Sequence, residues 1–210
     1  MNPRIAVLIS GRGSNLQSII DAIGDGQLDA TLAVVISNRA AAPGLLRARE
    51  ANVEALHVPA TDFPNRDAYD RRIVAELRQR RVELVCLAGF MRLVGAPLLE
   101  AFPNRILNIH PSLLPAFPGL DAQRQALDYG ARITGATVHL VTPDLDAGPI
   151  ILQSPVPVLA DDTVDILSAR ILVEEHRLYP EAIRVVLAGN WRLDGRRFVC
   201  ASPASSPPQP

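Results

Sequence analysis

The stretch Ile5-Ala6-Val7-Leu8-Ile9-Ser10-Gly11-Arg12-Gly13-Ser14-Asn15-Leu16 decides the fold. Its first five residues are a continuous apolar run closed by Ser and Gly, which fits a strand buried on both faces, as in a parallel sheet. A glycine loop follows at once, and apolar residues at 16, 19, 20 and 23 then recur with helical spacing. The order is strand, glycine turn, helix. The glycines permit a tight turn and a close approach of backbone to a ligand, while the first N–H groups of the helix favour an anion such as phosphate. No Gly-Lys-Ser/Thr follows, so this is not a Walker loop, and Leu16 stands where a dinucleotide fingerprint has its third glycine. An ordinary tight turn is the alternative reading of the same residues.

The alternation continues outward. Residues 31–37 read as a second strand, 43–51 as a helix, 54–58 as a third strand, 66–80 as a helix and 84–88 as a fourth strand. Such a pattern predicts an α/β fold with a doubly wound, mostly parallel sheet and right-handed crossovers, Rossmann-like in its N-terminal half. Ligands of these sheets sit beyond the carboxyl ends of the strands. The Gly11 loop, the segment 89–94 and Asn108-Ile109-His110 all follow strands, so they fall on one edge.

Ile106-Leu107-Asn108-Ile109-His110-Pro111-Ser112-Leu113-Leu114-Pro115 sets two polar side chains into an apolar strand end. Asn108 and His110 are two apart and share a face. Pro111 has no N–H for the ladder and ends it. An amide donor beside a titratable imidazole suits oxyanion stabilisation and proton movement; a buried histidine satisfied by backbone and an asparagine capping a turn is the alternative.

Past His110 the pattern changes. Residues 123–129 suggest a short helix, and 134–141 and 150–158 two longer strands joined by an Asp-, Gly- and Pro-rich turn at 142–149, which predicts an antiparallel pair and a mixed sheet. Asp146 lies in that turn. A carboxylate within reach of His110 would hold the ring and stabilise imidazolium, raising the histidine pKa, where burial alone would lower it; a simple turn residue is the alternative. Asp162-Thr163 can cap a helix over 164–187 whose inward stripe at 164, 167, 171, 178 and 182 is interrupted by Glu175. That acid is either paired and buried or reaches a ligand. The ending 201–210 is Pro/Ser-rich and is expected to be disordered.

With 210 residues, 48% of them hydrophobic, the chain suits one domain, expected over 1–200, with a proper core. Its 21 basic and 22 acidic side chains leave a net charge of −1 with no charged block, so neither nucleic acid nor a membrane surface is indicated as a partner. Cys86 and Cys200 are too few and too far apart for a disulfide framework or a zinc site. The first apolar run is too short for a signal peptide and no run of about 18 apolar residues occurs, so the expected location is the cytoplasm.

The stretch 106–120, together with Ser10-Gly11-Arg12-Gly13-Ser14-Asn15, Ala88-Gly89-Phe90-Met91-Arg92 and Asp144-Leu145-Asp146-Ala147-Gly148-Pro149, resembles the folate-dependent formyltransferases of purine synthesis. The likeness runs from about Ile5 to Trp191. It implies transfer of a formyl group from 10-formyltetrahydrofolate, a co-substrate, to the amino group of glycinamide ribonucleotide, without a metal. By the same resemblance Asn108, His110 and Asp146 are the catalytic set, with Asn108 and protonated His110 donating to the oxyanion. Gly13, Ser14 and Asn15 would hold the ribonucleotide phosphate and Glu175 its glycinamide end. Arg66, Met91, Arg92, Leu93 and Val94, with Asn108, Thr142, Pro143, Asp144, Leu145 and Asp146, would contact the folate. Where some relatives carry histidines, this chain has Leu120-Asp121-Ala122-Gln123.

A formyltetrahydrofolate hydrolase shares the catalytic stretch but usually carries an N-terminal regulatory domain, and a methionyl-tRNA formyltransferase adds a C-terminal tRNA domain. A non-catalytic nucleotide- or folate-binding module would not need Asn108, His110 and Asp146 together. The partners expected are therefore small molecules, for a monomer or a homodimer.

Overall fold

The computed structural model describes residues 2–200; the expected disorder of 201–210 lies outside the described residues. The elements run β1 (Arg4–Ile9), α1 (Ser14–Gly24), β2 (Thr31–Ser37), α2 (Pro43–Glu50), β3 (Ala55–His57), α3 (Arg66–Gln79), β4 (Leu84–Leu87), α4 (Ala96–Ala101), β5 (Ile106–His110), α5 (Ala122–Tyr129), β6 (Ile133–Leu140), β7 (Ile150–Pro157), α6 (Val164–Leu187), β8 (Trp191–Asp194) and β9 (Arg197–Cys200). Among the described residues, no helix is long and apolar enough to cross a membrane.

Seven strands form one sheet in the order β3-β2-β1-β4-β5-β6-β7. The first five in that row pair in parallel, while β6 runs antiparallel to β5 and β7 antiparallel to β6, so the mixed sheet expected from the sequence is observed. Ile5 to Ile9 are fully buried because β1 is central and covered on both faces. Ile5, Val7 and Ile9 pack in a core layer with α1, α2 and α6, and Ala6 and Leu8 in the layer with α3 and α4. The period of two thus divides one strand between two cores.

The glycine turn has two steric causes. Gly13 precedes α1 at φ 72°, a left-handed conformation that suits glycine. A Cβ there would also lie 2.7 Å from the Cα of Gly44, whose N–H donates to Gly11 O at 3.1 Å. Side-chain caps start α3, where Asn65 Oδ1 accepts from Ala68 N, and α6, where Thr163 Oγ1 accepts from Ile166 N.

Several element ends differ from the sequence reading by a residue, and a 3-10 turn at Ala60–Asp62, a helix and a hairpin are additional. Residue 122 joins α5, which starts one position earlier than expected. The six-residue α4 was not expected; Pro97 lies in its first turn, where a missing N–H costs nothing. The β8–β9 hairpin was not expected either, although Asp194-Gly195 between two short runs is a hairpin signal.

Candidate active site

Strand alternation builds a polar patch on the β5–β7 part of the sheet. On β5, Ile106 belongs to the α3/α4 core layer while Leu107 and Ile109 belong to the other, so Asn108 and His110 face the α3/α4 side. On β6, Ala136, Val138 and Leu140 point to the α6 side, which turns Thr137 and His139 onto the same face as Asn108 and His110. The antiparallel register sets Asn108 opposite His139 and His110 opposite Thr137. The patch is met from above by the 111–121 and 142–149 connections, which contribute Phe117, Gly119 and Asp146.

His110 is 5% exposed. Its Nε2 lies 2.9 Å from Phe117 O and its Nδ1 3.4 Å from Asp146 Oδ2. The Asp146 backbone is held at φ 48°, and its Oδ2 accepts from Gly119 N at 2.8 Å. Its Oδ1 lies 3.7 Å from Nε2 of His139. That same Nε2 is 3.2 Å from Asn108 Nδ2, and His139 Nδ1 is 2.9 Å from Leu140 O. With Nδ1 turned to Leu140 O, Nε2 of His139 is the atom that faces both the Asn108 amide and the Asp146 carboxylate.

Burial pushes the Asp146 carboxyl upward. The facing His139, the Gly119 N–H and the charge of His110 outweigh it and hold the group below the ordinary carboxylate value, so it stays anionic in neutral solution.

The residues singled out for a ribonucleotide come together on the other side of the sheet. Asn15 Nδ2 donates to Glu175 Oε2 at 3.1 Å, joining the start of α1 to the middle of α6. Glu175 is 8% exposed, and burial, only partly opposed by the Asn15 amide, pushes its carboxyl up to about 7. The Asn15 side chain is thus turned to Glu175 and its Oδ1 is buried with no partner, leaving backbone N–H groups at Gly13, Ser14 and Asn15 as the donors at the helix start. No side chain caps α1 there.

The residues singled out for a folate form a third group. Ser10 Oγ donates to Asn38 Oδ1 at 2.6 Å and accepts from Met91 N at 2.9 Å, so the glycine loop and the 91–94 segment are tied at their bases. Met91 and Leu93 hold apolar side chains 56% and 58% exposed at the sheet edge. Arg92 lies over the Tyr69 ring, 5.0 Å from its centroid. The start of α3 grips the far end of the segment, where Asp70 Oδ2 accepts from Gly95 N at 2.6 Å and Arg66 and Asp67 crowd the same glycine. In the 142–145 loop Thr142 Oγ1 donates to Asp144 O, while Pro143 and Asp144 are exposed and Leu145 displays its side chain to solvent.

His139 is the site residue that sequence reasoning missed. Thr137 and His139 repeat the two-residue spacing of Asn108 and His110 on the strand expected next in the sheet, which was the signal available. Gly119 and Tyr69 had no comparable signal, because their contacts depend on loop and helix placement.

A family model described as formyl transferase matches residues 3–183. Phosphoribosylglycinamide formyltransferase of Escherichia coli is 46% identical over 192 residues, covering 91% of this chain and 88% of that protein. The trifunctional purine biosynthetic protein adenosine-3 of Bos taurus is 45% identical over 197 residues, which are 94% of this chain but only 20% of that protein, so the chain spans about a fifth of this relative. The crystal structure of glycinamide ribonucleotide transformylase 1 from Symbiobacterium toebii superposes with a TM-score of 0.94 at 57% identity, covering 96% of this chain and 95% of that one. The family match spans most of the chain, including the strands and loops that carry Asn108, His110, His139 and Asp146: the chain belongs to the formyl transferase family.

Proposed function

We propose that this chain transfers the formyl group of 10-formyltetrahydrofolate to the amino group of glycinamide ribonucleotide, as a single domain acting on small molecules in the cytoplasm, as a monomer or homodimer. The observation that carries the reading is the convergence of Asn108, His110, His139 and Asp146 on one sheet face. It is flanked by an uncapped helix start beside Glu175 and by the exposed apolar Met91–Leu93 segment.

The substrate amine attacks the formyl carbon, a C–N bond forms, and the carbonyl oxygen becomes an oxyanion. Asn108 Nδ2 has a second N–H to give that oxygen beyond the one directed at His139. Both ring nitrogens of His110 face oxygen acceptors, an arrangement that the doubly protonated ring satisfies. His110 donates to the oxyanion once its Nε2–H turns from Phe117 O to the substrate. One donor of this kind contributes about 2.7–4 kcal/mol. The intermediate collapses as the bond to the folate nitrogen breaks, and the proton lost by the amine ends on that nitrogen. No covalent enzyme intermediate is required.

Backbone N–H groups at Gly13, Ser14 and Asn15 hold the phosphate, and Glu175 holds the glycinamide end. Arg66, Met91, Arg92, Leu93 and Val94 receive the folate, with Thr142, Pro143, Asp144 and Leu145 closing over it. A spectroscopic assay of folate deformylation with and without glycinamide ribonucleotide tests the reading. Turnover that requires the ribonucleotide is the expected result. Formate release without it would favour a hydrolase, and no turnover in either arm would favour a binding module.

A further inference from the structure

We propose that Gln153, acting through Thr137, is a positioning residue that sets the loop carrying the contacts of His110 and Asp146. The inference rests on the formyl-transfer reading. In register, His110 of β5 lies opposite Thr137 of β6, and Thr137 opposite Gln153 of β7, so the three form a row across the sheet. The Thr137 side chain is fully buried. Its hydroxyl donates to Ser112 O at 2.6 Å and accepts from Leu114 N at 3.1 Å and from Gln153 Nε2 at 2.9 Å. One donor and two lone pairs are the whole capacity of a hydroxyl, so its orientation is fixed.

Gln153 makes a second bond from the same nitrogen, to Leu114 O at 2.9 Å. It stands on the outermost strand of the sheet as an exposed residue, yet its amide nitrogen reaches inward to two acceptors. An exposed glutamine satisfies its amide with water at no cost, and this one is spent on the turn that begins two residues after His110. The same turn continues to Phe117 O on His110 and to Gly119 N on Asp146. Ser112 and Leu114 are therefore pinned to β6 and β7 immediately before the chain delivers both contacts. A shift of about 1 Å at such a site is enough to change rates strongly.

The test uses the full chain with Gln153→Met, Thr137→Val and Thr137→Ser, measuring kcat, both KM values, the pH profile of kcat and thermal stability. Gln153→Met keeps the side-chain length and removes both amide bonds. It is expected to lower kcat about three- to tenfold and to change the pH profile, with Tm and both KM values close to the parent. Thr137→Val should lower kcat further, and Thr137→Ser, which keeps the hydroxyl, should restore it. A parent-like kcat and pH profile in Gln153→Met would overturn the inference, as would a Thr137→Val loss that only tracks its Tm. If the parent chain itself transfers no formyl group, the functional reading fails instead, and the proton NMR shifts of His110 in parent and Gln153→Met then decide the positioning role: parent-like shifts would overturn it.

Discussion

Asn108 and His139 stand directly opposite each other on antiparallel strands, with the amide nitrogen of one 3.2 Å from Nε2 of the other. The same imidazole faces Asp146, so a single ring links the Asn108 amide to the Asp146 carboxylate. His139→Ala should release both. We expect kcat to fall about tenfold or more, since one amide orientation is lost. The Asp146 carboxyl should titrate at higher pH, because burial remains while the facing ring that lowers it is gone. Carbon NMR of the Asp146 carboxyl checks this, and an unshifted titration would remove His139 from the site.

On the proposed mechanism, His110→Ala and Asn108→Ala should each lower kcat by about two orders of magnitude or more, each removing a proposed donor to the oxyanion. His110 is buried and Asn108 half-buried, so circular dichroism of both variants must accompany the kinetics. Parent-like turnover in a folded variant would sink the assignment.

The parallel half of the fold was legible because its strands are continuous apolar runs that fill both core layers, as Ile5 to Ile9 show. The grouping of Asn108, His110 and Asp146 was legible from spacing and from motif likeness, and the structure places the last within 3.4 Å of the second. His139 was hidden because it lies in an apolar strand, where one imidazole reads as a core residue until the register with Asn108 is known. The contact of Asn15 was not legible. Its side chain meets Glu175 across 160 residues of sequence, a contact that no local pattern announces. The α4 helix and the β8–β9 hairpin were too short for periodicity to separate from loop.

Ser14→Pro and Asn15→Ala separate the two ways of serving a ribonucleotide. Ser14→Pro removes one backbone N–H at the first helical position, where proline is otherwise tolerated, and should raise KM for the ribonucleotide with folate KM unchanged. Asn15→Ala keeps its N–H but strips the amide from Glu175, so it should raise the same KM and also push the Glu175 carboxyl above about 7. Isothermal titration with each ligand distinguishes them, and a loss confined to folate affinity would reverse the assignment.

Glu175 carries a stability cost with a definite sign. Burial raises its folded-state value from 4.5 to about 7, so the native state favours the protonated acid. The stability this gives is fully present below 4.5 and is lost as pH rises through about 7. That interval corresponds to roughly 3 kcal/mol at most. Glu175→Gln keeps an oxygen for Asn15 and cannot ionise, so relative to the parent it should gain stability between pH 5 and 8 and none at pH 4. Ribonucleotide KM should rise at the same time. Denaturation midpoints that differ equally at all pH values would refute the buried-acid account.

Asp146 runs the other way. Its folded-state value is depressed despite burial, so its contribution to stability is present above the ordinary carboxylate value of 3.8 and is lost as pH falls through the lower native value. Asp146→Asn should therefore be less stable than the parent at pH 7, with the gap closing below pH 4. The amide can still accept from Gly119 N, which limits the structural damage. Catalysis should suffer more. The anion 3.4 Å from Nδ1 of His110 is removed, so the ring loses the partner that fixes its orientation. The neutral amide also offers either an oxygen or an NH₂ to the ring, so it no longer selects one protonation pattern, and the maximum rate should fall by about two orders of magnitude or more. Steady-state kinetics of both proteins, beside the proton NMR shifts of the His110 ring, are the direct measurement. Unchanged ring shifts together with an unchanged kcat would leave Asp146 as a turn residue holding Gly119.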